Sequence, residues 1–179
     1  MTIDTGSGNP GAVGLDHISN NIGGVEHLRI VSADRDGLVG FDFSRQLGGL
    51  TYFSHLQVQG FATGINISSG AIGAALEHAT ISRCQVGLRV TDKLVSARNV
   101  TTVNVKQPVL VSGADASLIL LDSTLSASAQ TAAAVRSPDG AQLYLRNLTA
   151  AGAFAAVNDS GAQVASPVSE YSHSPPFSL

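Results

Sequence analysis

Leu76-Glu77-His78-Ala79-Thr80-Ile81 decides the fold, because the same phrase returns along the chain at a near-constant interval. Upstream it reads Val25-Glu26-His27-Leu28-Arg29-Ile30 and Phe53-Ser54-His55-Leu56-Gln57-Val58. Downstream it persists as Ala97-Arg98-Asn99-Val100, Leu121-Asp122-Ser123-Thr124 and Leu145-Arg146-Asn147-Leu148. Taking His27, His55, His78, Asn99, Ser123 and Asn147 as polar centres, the steps are 28, 23, 21, 24 and 24 residues. A second phrase keeps pace: Val13-Gly14-Leu15-Asp16, Val39-Gly40-Phe41-Asp42, Thr63-Gly64-Ile65-Asn66, Val86-Gly87-Leu88-Arg89, then Pro108-Val109-Leu110-Val111, Ala133-Ala134-Val135-Arg136 and Ala155-Ala156-Val157-Asn158. Self-similarity at this period is the mark of a solenoid.

Inside each unit the apolar residues alternate over short runs, as in Leu28/Ile30, Leu56/Val58 and Leu118/Leu120, and Gly, Ser, Asn or Asp separate the runs. Alternation predicts strands rather than helices. Two or three short strands plus turns fill one coil of a right-handed parallel β-helix, so the chain is expected to be all-β with about six to seven coils. A leucine-rich repeat has a similar period but needs leucines and asparagine at set offsets, which are lacking. The polar centre interrupts the alternation, so a bend is expected there, with His, Asn or Ser pointing into the coil and hydrogen-bonded to the backbone or to the equivalent residue one rung away.

The 179 residues divide into a Gly/Ser/Thr-rich flexible leader (1–11), the β-helix segment (12–161) and a Pro/Ser-rich tail or linker (162–179) containing Pro167, Pro175 and Pro176. Only 13% of residues are charged, and the net charge is −3 with basic residues scattered. Stacked coils set like residues above one another, which disfavours charge. Scattered Lys and Arg exclude a nucleic-acid surface, and no apolar run is long enough for a membrane span. Cys84 is the single cysteine, expected to be a small buried apolar side chain. Gly6-Ser7-Gly8-Asn9-Pro10-Gly11 matches a nucleotide-binding fingerprint only in letters, since no buried strand precedes it and no helix follows.

The run from Asn20 to Ile67 resembles the pectate-lyase superfamily of right-handed β-helices, in particular the branch of exo-β-1,3-glucanase-like glycoside hydrolases. Asn21-Ile22-Gly23-Gly24-Val25-Glu26-His27-Leu28-Arg29-Ile30, Asp36-Gly37-Leu38-Val39-Gly40-Phe41-Asp42-Phe43 and Val58-Gln59-Gly60-Phe61-Ala62-Thr63-Gly64-Ile65 carry the likeness. The resemblance implies a carbohydrate-active protein, extracellular or at the cell surface, acting on a polysaccharide. Members of this branch pair two β-helices and open with a capping helix. The chain is accordingly expected to be the later part of a first β-helix, with an adjoining β-helix or capping segments of a longer polypeptide.

The candidate chemistry lies in the column after each Gly-hydrophobe pair, expected to face outward: Asp16, Asp42, Asn66, Arg89, Val111, Arg136 and Asn158. Asp16 and Asp42, one rung apart, would be the catalytic carboxylates of a lyase or hydrolase, or would bind a hard cation such as Ca²⁺. Asn66 and Arg89 would contact substrate, Arg89 through a sugar carboxylate. The bland alternative is a solvated strand face. Asp34-Arg35-Asp36-Gly37 reads as turn punctuation, and His27, His55 and His78 as a structural ladder rather than a metal site. Tyr52 and Tyr144 are the candidate sugar-stacking platforms. Two functions follow: a polysaccharide lyase or glycoside hydrolase, or a non-catalytic structural, adhesion or carbohydrate-binding scaffold.

Overall fold

The computed structural model describes residues 1–45, 49–68 and 73–173, without the side chains of Ala129 and Gln130. Of the turn expected at Gln46-Leu47-Gly48-Gly49, the first three residues lie outside the described residues, as do Pro175 and Pro176. The described chain is all-β, a parallel β-solenoid of about six turns. Three sheet faces run along it. The first stacks 22–26, 50–54, 73–77, 94–98, 117–121 and 142–146. The second stacks 28–31, 56–59, 80–82, 101–103, 124–126 and 149–151. The third stacks 13–16, 37–43, 61–67, 86–91, 107–112, 131–137 and 153–159. In the later coils a single strand, Ser117–Ser137 or Gln142–Asp159, wraps from face to face.

The corner between the first and second faces is made by one residue per coil in the left-handed region: His27, His55, His78, Asn99, Asp122 and Asn147, all with φ between 50° and 54°. Asn, Asp and His are the non-glycine types that best tolerate this region, which is why the phrase repeats those letters. The bend breaks the alternation, so the corner residue and the one before it both point away from the interior. The expected inward ladder is therefore corrected: the three imidazoles and Asn147 are exposed, Asn99 is half-buried, and Leu28, Leu56 and Ala79 turn inward behind the three imidazoles. Asp122, not Ser123, is the fifth corner residue; Ser123 is buried, its Oγ accepting from Val100 N (3.0 Å) and donating to Leu121 O (2.8 Å).

The second phrase has an equally direct cause. A Cβ on Gly40 would stand 2.3 Å from Val58 Cγ1 and 2.7 Å from Gly64 O, and one on Gly64 2.6 Å from Ile81 Cγ2 and 2.8 Å from Gly87 O. Side chains of the second face press directly onto this glycine column, so only hydrogen fits. The next residue is fully buried in six coils, as Phe41, Ile65, Leu88, Val109, Val135 and Val157, and partly buried in the first, as Leu15. In the early coils aromatic rings fill the interior: Phe53 meets Phe41 and Phe43 edge-on at 4.7 and 5.2 Å between centroids. In the late coils Leu120 and Leu145 stand in the register position of Phe53, and Val135 and Val157 in that of Phe41, while alanines 134 and 156 continue the glycine column.

Both ends depart from expectation. Within the leader, Thr2–Asp4 forms a strand paired in parallel with residues 29–31, one rung beyond the first coil, and Gly6 and Gly8 hydrogen-bond Ala33 and Asp34. Within the tail, Ala162–Val164 and Val168–Ser172 turn back as antiparallel strands against 157–159 and 144–148. Reversed strands thus cover an edge that would otherwise offer unpaired backbone groups.

Candidate functional site

The third-face column assembles with one exception. Register aligns Asp16, Asp42, Asn66 and Arg89 on four successive rungs, then Leu110, Arg136 and Asn158. Val111, expected in this column, is fully buried; Leu110 takes the outward place because the inward alternation of Val109 and Val111 puts it there.

Neighbouring side chains already engage the two carboxylates. Asp16 Oδ2 accepts from Arg45 Nε (2.7 Å) and Nη2, and these hydrogen bonds hold its carboxyl below the usual carboxylate range. A carboxyl held ionised cannot serve as a general acid near neutrality. Asp42 Oδ1 accepts from Asn66 Nδ2 (2.7 Å) and Oδ2 from Ser44 Oγ (2.9 Å). Asn66 is thus a partner of Asp42, and Arg89 stands on the next rung with its Nε buried and without a hydrogen-bond partner. No group of three or more His, Cys, Asp or Glu side chains among the described residues could hold a metal ion.

The histidine column makes a different arrangement. His27 and His55 stack with centroids 4.5 Å apart and planes 20° from parallel, and His55 and His78 with 4.8 Å and 21°. Rings layered at one-rung spacing present their faces to one another, so their nitrogens do not converge on a common point. Asn99 Nδ2 lies 3.5 Å from His78 Nδ1, and Asn147 Nδ2 donates to Asp122 Oδ1 at 2.8 Å, so polar contacts continue the column.

His17, unassigned by sequence, packs against Phe41, Phe43 and Phe53 with centroids 5.5–5.9 Å away, and desolvation lowers its pKa from the ordinary 6.5. Cys84 is buried as expected, its Sγ donating to Ser82 O (3.3 Å), and burial pushes the thiol pKa up. Comparison with known proteins finds no family model, no curated protein and no solved structure that matches this chain. Assignment of a role therefore rests on the surface itself.

One surface feature escaped sequence reasoning. At the corner between the second and third faces, the backbone hydrogen bonds Gly60 N to Ser82 O and Arg83 N to Val103 O set Gly60, Arg83 and Asn104 on successive rungs. Arg83 and Asn104 both have φ of 54°, so their side chains leave the corner outward as at the histidine column. Arg35 borders Gly60, where a Cβ would come 3.3 Å from Arg35 Cα. The result is a groove of about 490 Å³ lined by Arg35, Arg83, Lys106, Asn104, Gln85 and Ser128, with Cys84 at its floor. All three cations are exposed, and among the described residues none pairs with a carboxylate. Asp34, next to Arg35, spends its carboxylate on Gly8 N, Ser32 Oγ and Asp36 N, which lower its pKa. The residues come from four separate stretches, so only aligning the coils as rungs would have revealed them.

Proposed function

We propose that this solenoid is a non-catalytic scaffold that binds an anionic polysaccharide along the corner groove of Arg35, Arg83 and Lys106. The observation that carries the reading is three unpaired, exposed cations in one groove, with Asn104, Gln85 and Ser128 beside them as hydrogen-bonding groups. They belong to the first, third and fourth coils, a span of about 14 Å at one rung per 4.8 Å. A rigid row at that spacing suits an extended polymer with a carboxylate or sulfate on its repeating units, and Arg suits planar carboxylates. The fold supports the reading by keeping the row straight. The hydrogen-bonded state of Asp16 and Asp42 favours a scaffold over an enzyme of the lyase or hydrolase type. Such a role belongs outside the cell or at its surface.

The test is titration calorimetry with polygalacturonate and with neutral β-1,3-glucan, at low and high salt, alongside assays for unsaturated products and new reducing ends. Binding to polygalacturonate alone, weakened by salt and lost in the Arg35→Gln/Arg83→Gln/Lys106→Gln variant, is expected. Equal binding by the triple variant would sink the groove assignment. Product that accumulates with the wild type but not with Asp42→Asn would restore the enzymatic reading.

A further inference from the structure

Among the described residues no element covers an apolar surface on the first face. Ile22, Leu50 and Leu94 point outward from it with 85%, 56% and 55% of their surface exposed. With Tyr52 and Ile119 they border a shallow trough of about 270 Å³ floored by Gly73 and Ala75. Contiguous exposed apolar surface of this kind marks an interaction site.

The occupant follows from how the face is written, column by column. Strand register gives three outward columns over six rungs. The first is Ile22, Leu50, Gly73, Leu94, Ser117 and Gln142. The second is Gly24, Tyr52, Ala75, Ser96, Ile119 and Tyr144, and the third Glu26, Ser54, Glu77, Arg98, Leu121 and Arg146. Reading each column upward and then downward sets Ile22 against Gln142, Leu50 against Ser117, Ala75 against Ser96 and Ser54 against Leu121, and brings size and charge together in the remaining pairs. Leu94 meets Gly73, Tyr144 meets Gly24, Tyr52 meets Ile119, Glu26 meets Arg146 and Glu77 meets Arg98. The corner column obeys the same rule at the rim, with His55 opposite Asp122. That reversal is what a twofold axis produces when it lies in the face, parallel to the strands, between the third and fourth rungs. A twofold axis along the solenoid would instead set Ile22 against Glu26 and Leu94 against Arg98.

We propose that the first face is the contact surface of a twofold homodimer in which two copies stack rung against rung in opposite order. Large side chains of one copy enter the glycine positions of the other, and the acidic lower half of the third column faces the basic upper half. Five residues per strand and six rungs make a patch of about 16 by 29 Å on each copy. The total, on the order of 1,000 Å², lies at the small end of specific interfaces, so the dimer exchanges with monomer as concentration changes.

Sedimentation velocity over a wide concentration range tests this directly, using wild type, Glu26→Arg/Glu77→Arg and Arg98→Glu/Arg146→Glu, with circular dichroism to verify folding. The wild type is expected to shift from monomer to dimer. Each double variant alone sets like charges across the contact and should associate at least about tenfold more weakly. Mixing the two should restore dimer, because 26 then opposes 146, and 77 opposes 98, with opposite sign in both halves. A wild type that stays monomeric throughout, double variants that dimerise undiminished, or a mixture that fails to recover would each overturn the proposal.

Discussion

The first three coils and the last three share a backbone path but fill it differently. The early coils enclose Phe41, Phe43, Phe53 and Phe61 with large aliphatic neighbours, and their corner is a stack of imidazoles. The late coils enclose smaller aliphatic side chains, Leu120, Leu145, Val135 and Val157 with alanines 134 and 156, and their deepest third-face column turns polar, with Val90 and Val111 followed by Ser137 and Asp159. Ser137 Oγ accepts from Ala141 N, and Asp159 Oδ2 accepts from Tyr171 OH (2.8 Å) and sits 2.6 Å from His173 Nδ1. One end is held by hydrophobic volume. At the other, a buried carboxylate fastens the returning strands to the coil beneath, and burial, together with the same contact, pushes the Tyr171 phenol up to about 12.

If that contrast is right, emptying an early coil costs most. Phe53→Ala should destabilise by about 3–5 kcal/mol in denaturant titration. The alanines at 134 and 156 offer little to remove, and Ala156→Gly should cost only about 0.5–1 kcal/mol. The glycine column comes next. Gly40→Ala forces a Cβ into Val58 and the Gly64 carbonyl and should cost about 1–3 kcal/mol, whereas position 134 in the same column already carries alanine. At the far end, Asp159→Ala strands the Tyr171 hydroxyl and the His173 ring and should cost about 1–3 kcal/mol. Hydrogen exchange would show the loss concentrated in 162–164 and 168–172 rather than in the early coils.

The smallest effect is a pH dependence at the aromatic end. His17 has a folded-state pKa below 6.5, so the unfolded chain binds its proton first as pH falls. Stability should therefore decline below about pH 6.5 and level off once pH drops beneath the folded-state value. Thermal melts of His17→Leu should lack that component of the acid-side decline. An unchanged pH profile would remove His17 from the account.

Strand alternation was legible because it is enforced in every rung, and the glycine column because Gly14, Gly40, Gly64 and Gly87 repeat it over the first four, so the same letters recur. Orientation at the corner was not, since alternation is a rule for extended backbone and the corner residue is not extended. The letters His, His, His, Asn, Asp and Asn are themselves the signature of positive φ, and reading them that way would have selected Asp122 over Ser123. The third-face column was legible as a column, but nothing in the letters around Asp16 shows that Arg45, 29 residues away, occupies its carboxylate. The exposed Ile22, Leu50 and Leu94 defeat hydrophobicity arguments outright, because apolar character there does not serve the interior. The ends misled for another reason: Gly, Ser and Pro composition signals breaks in a repeat but is silent on strands that pair in reverse.

The left-handed corner has a practical consequence. Each of residues 27, 55, 78, 99, 122 and 147 launches its side chain from the same backbone geometry, at a fixed increment along one straight line. Exchanging them among Asn, Asp, His and Gly leaves the backbone what it needs while rewriting the chemistry displayed. The edge therefore serves as a graduated molecular ruler, on which charged or metal-reactive groups can be ruled off at chosen multiples of the strand spacing.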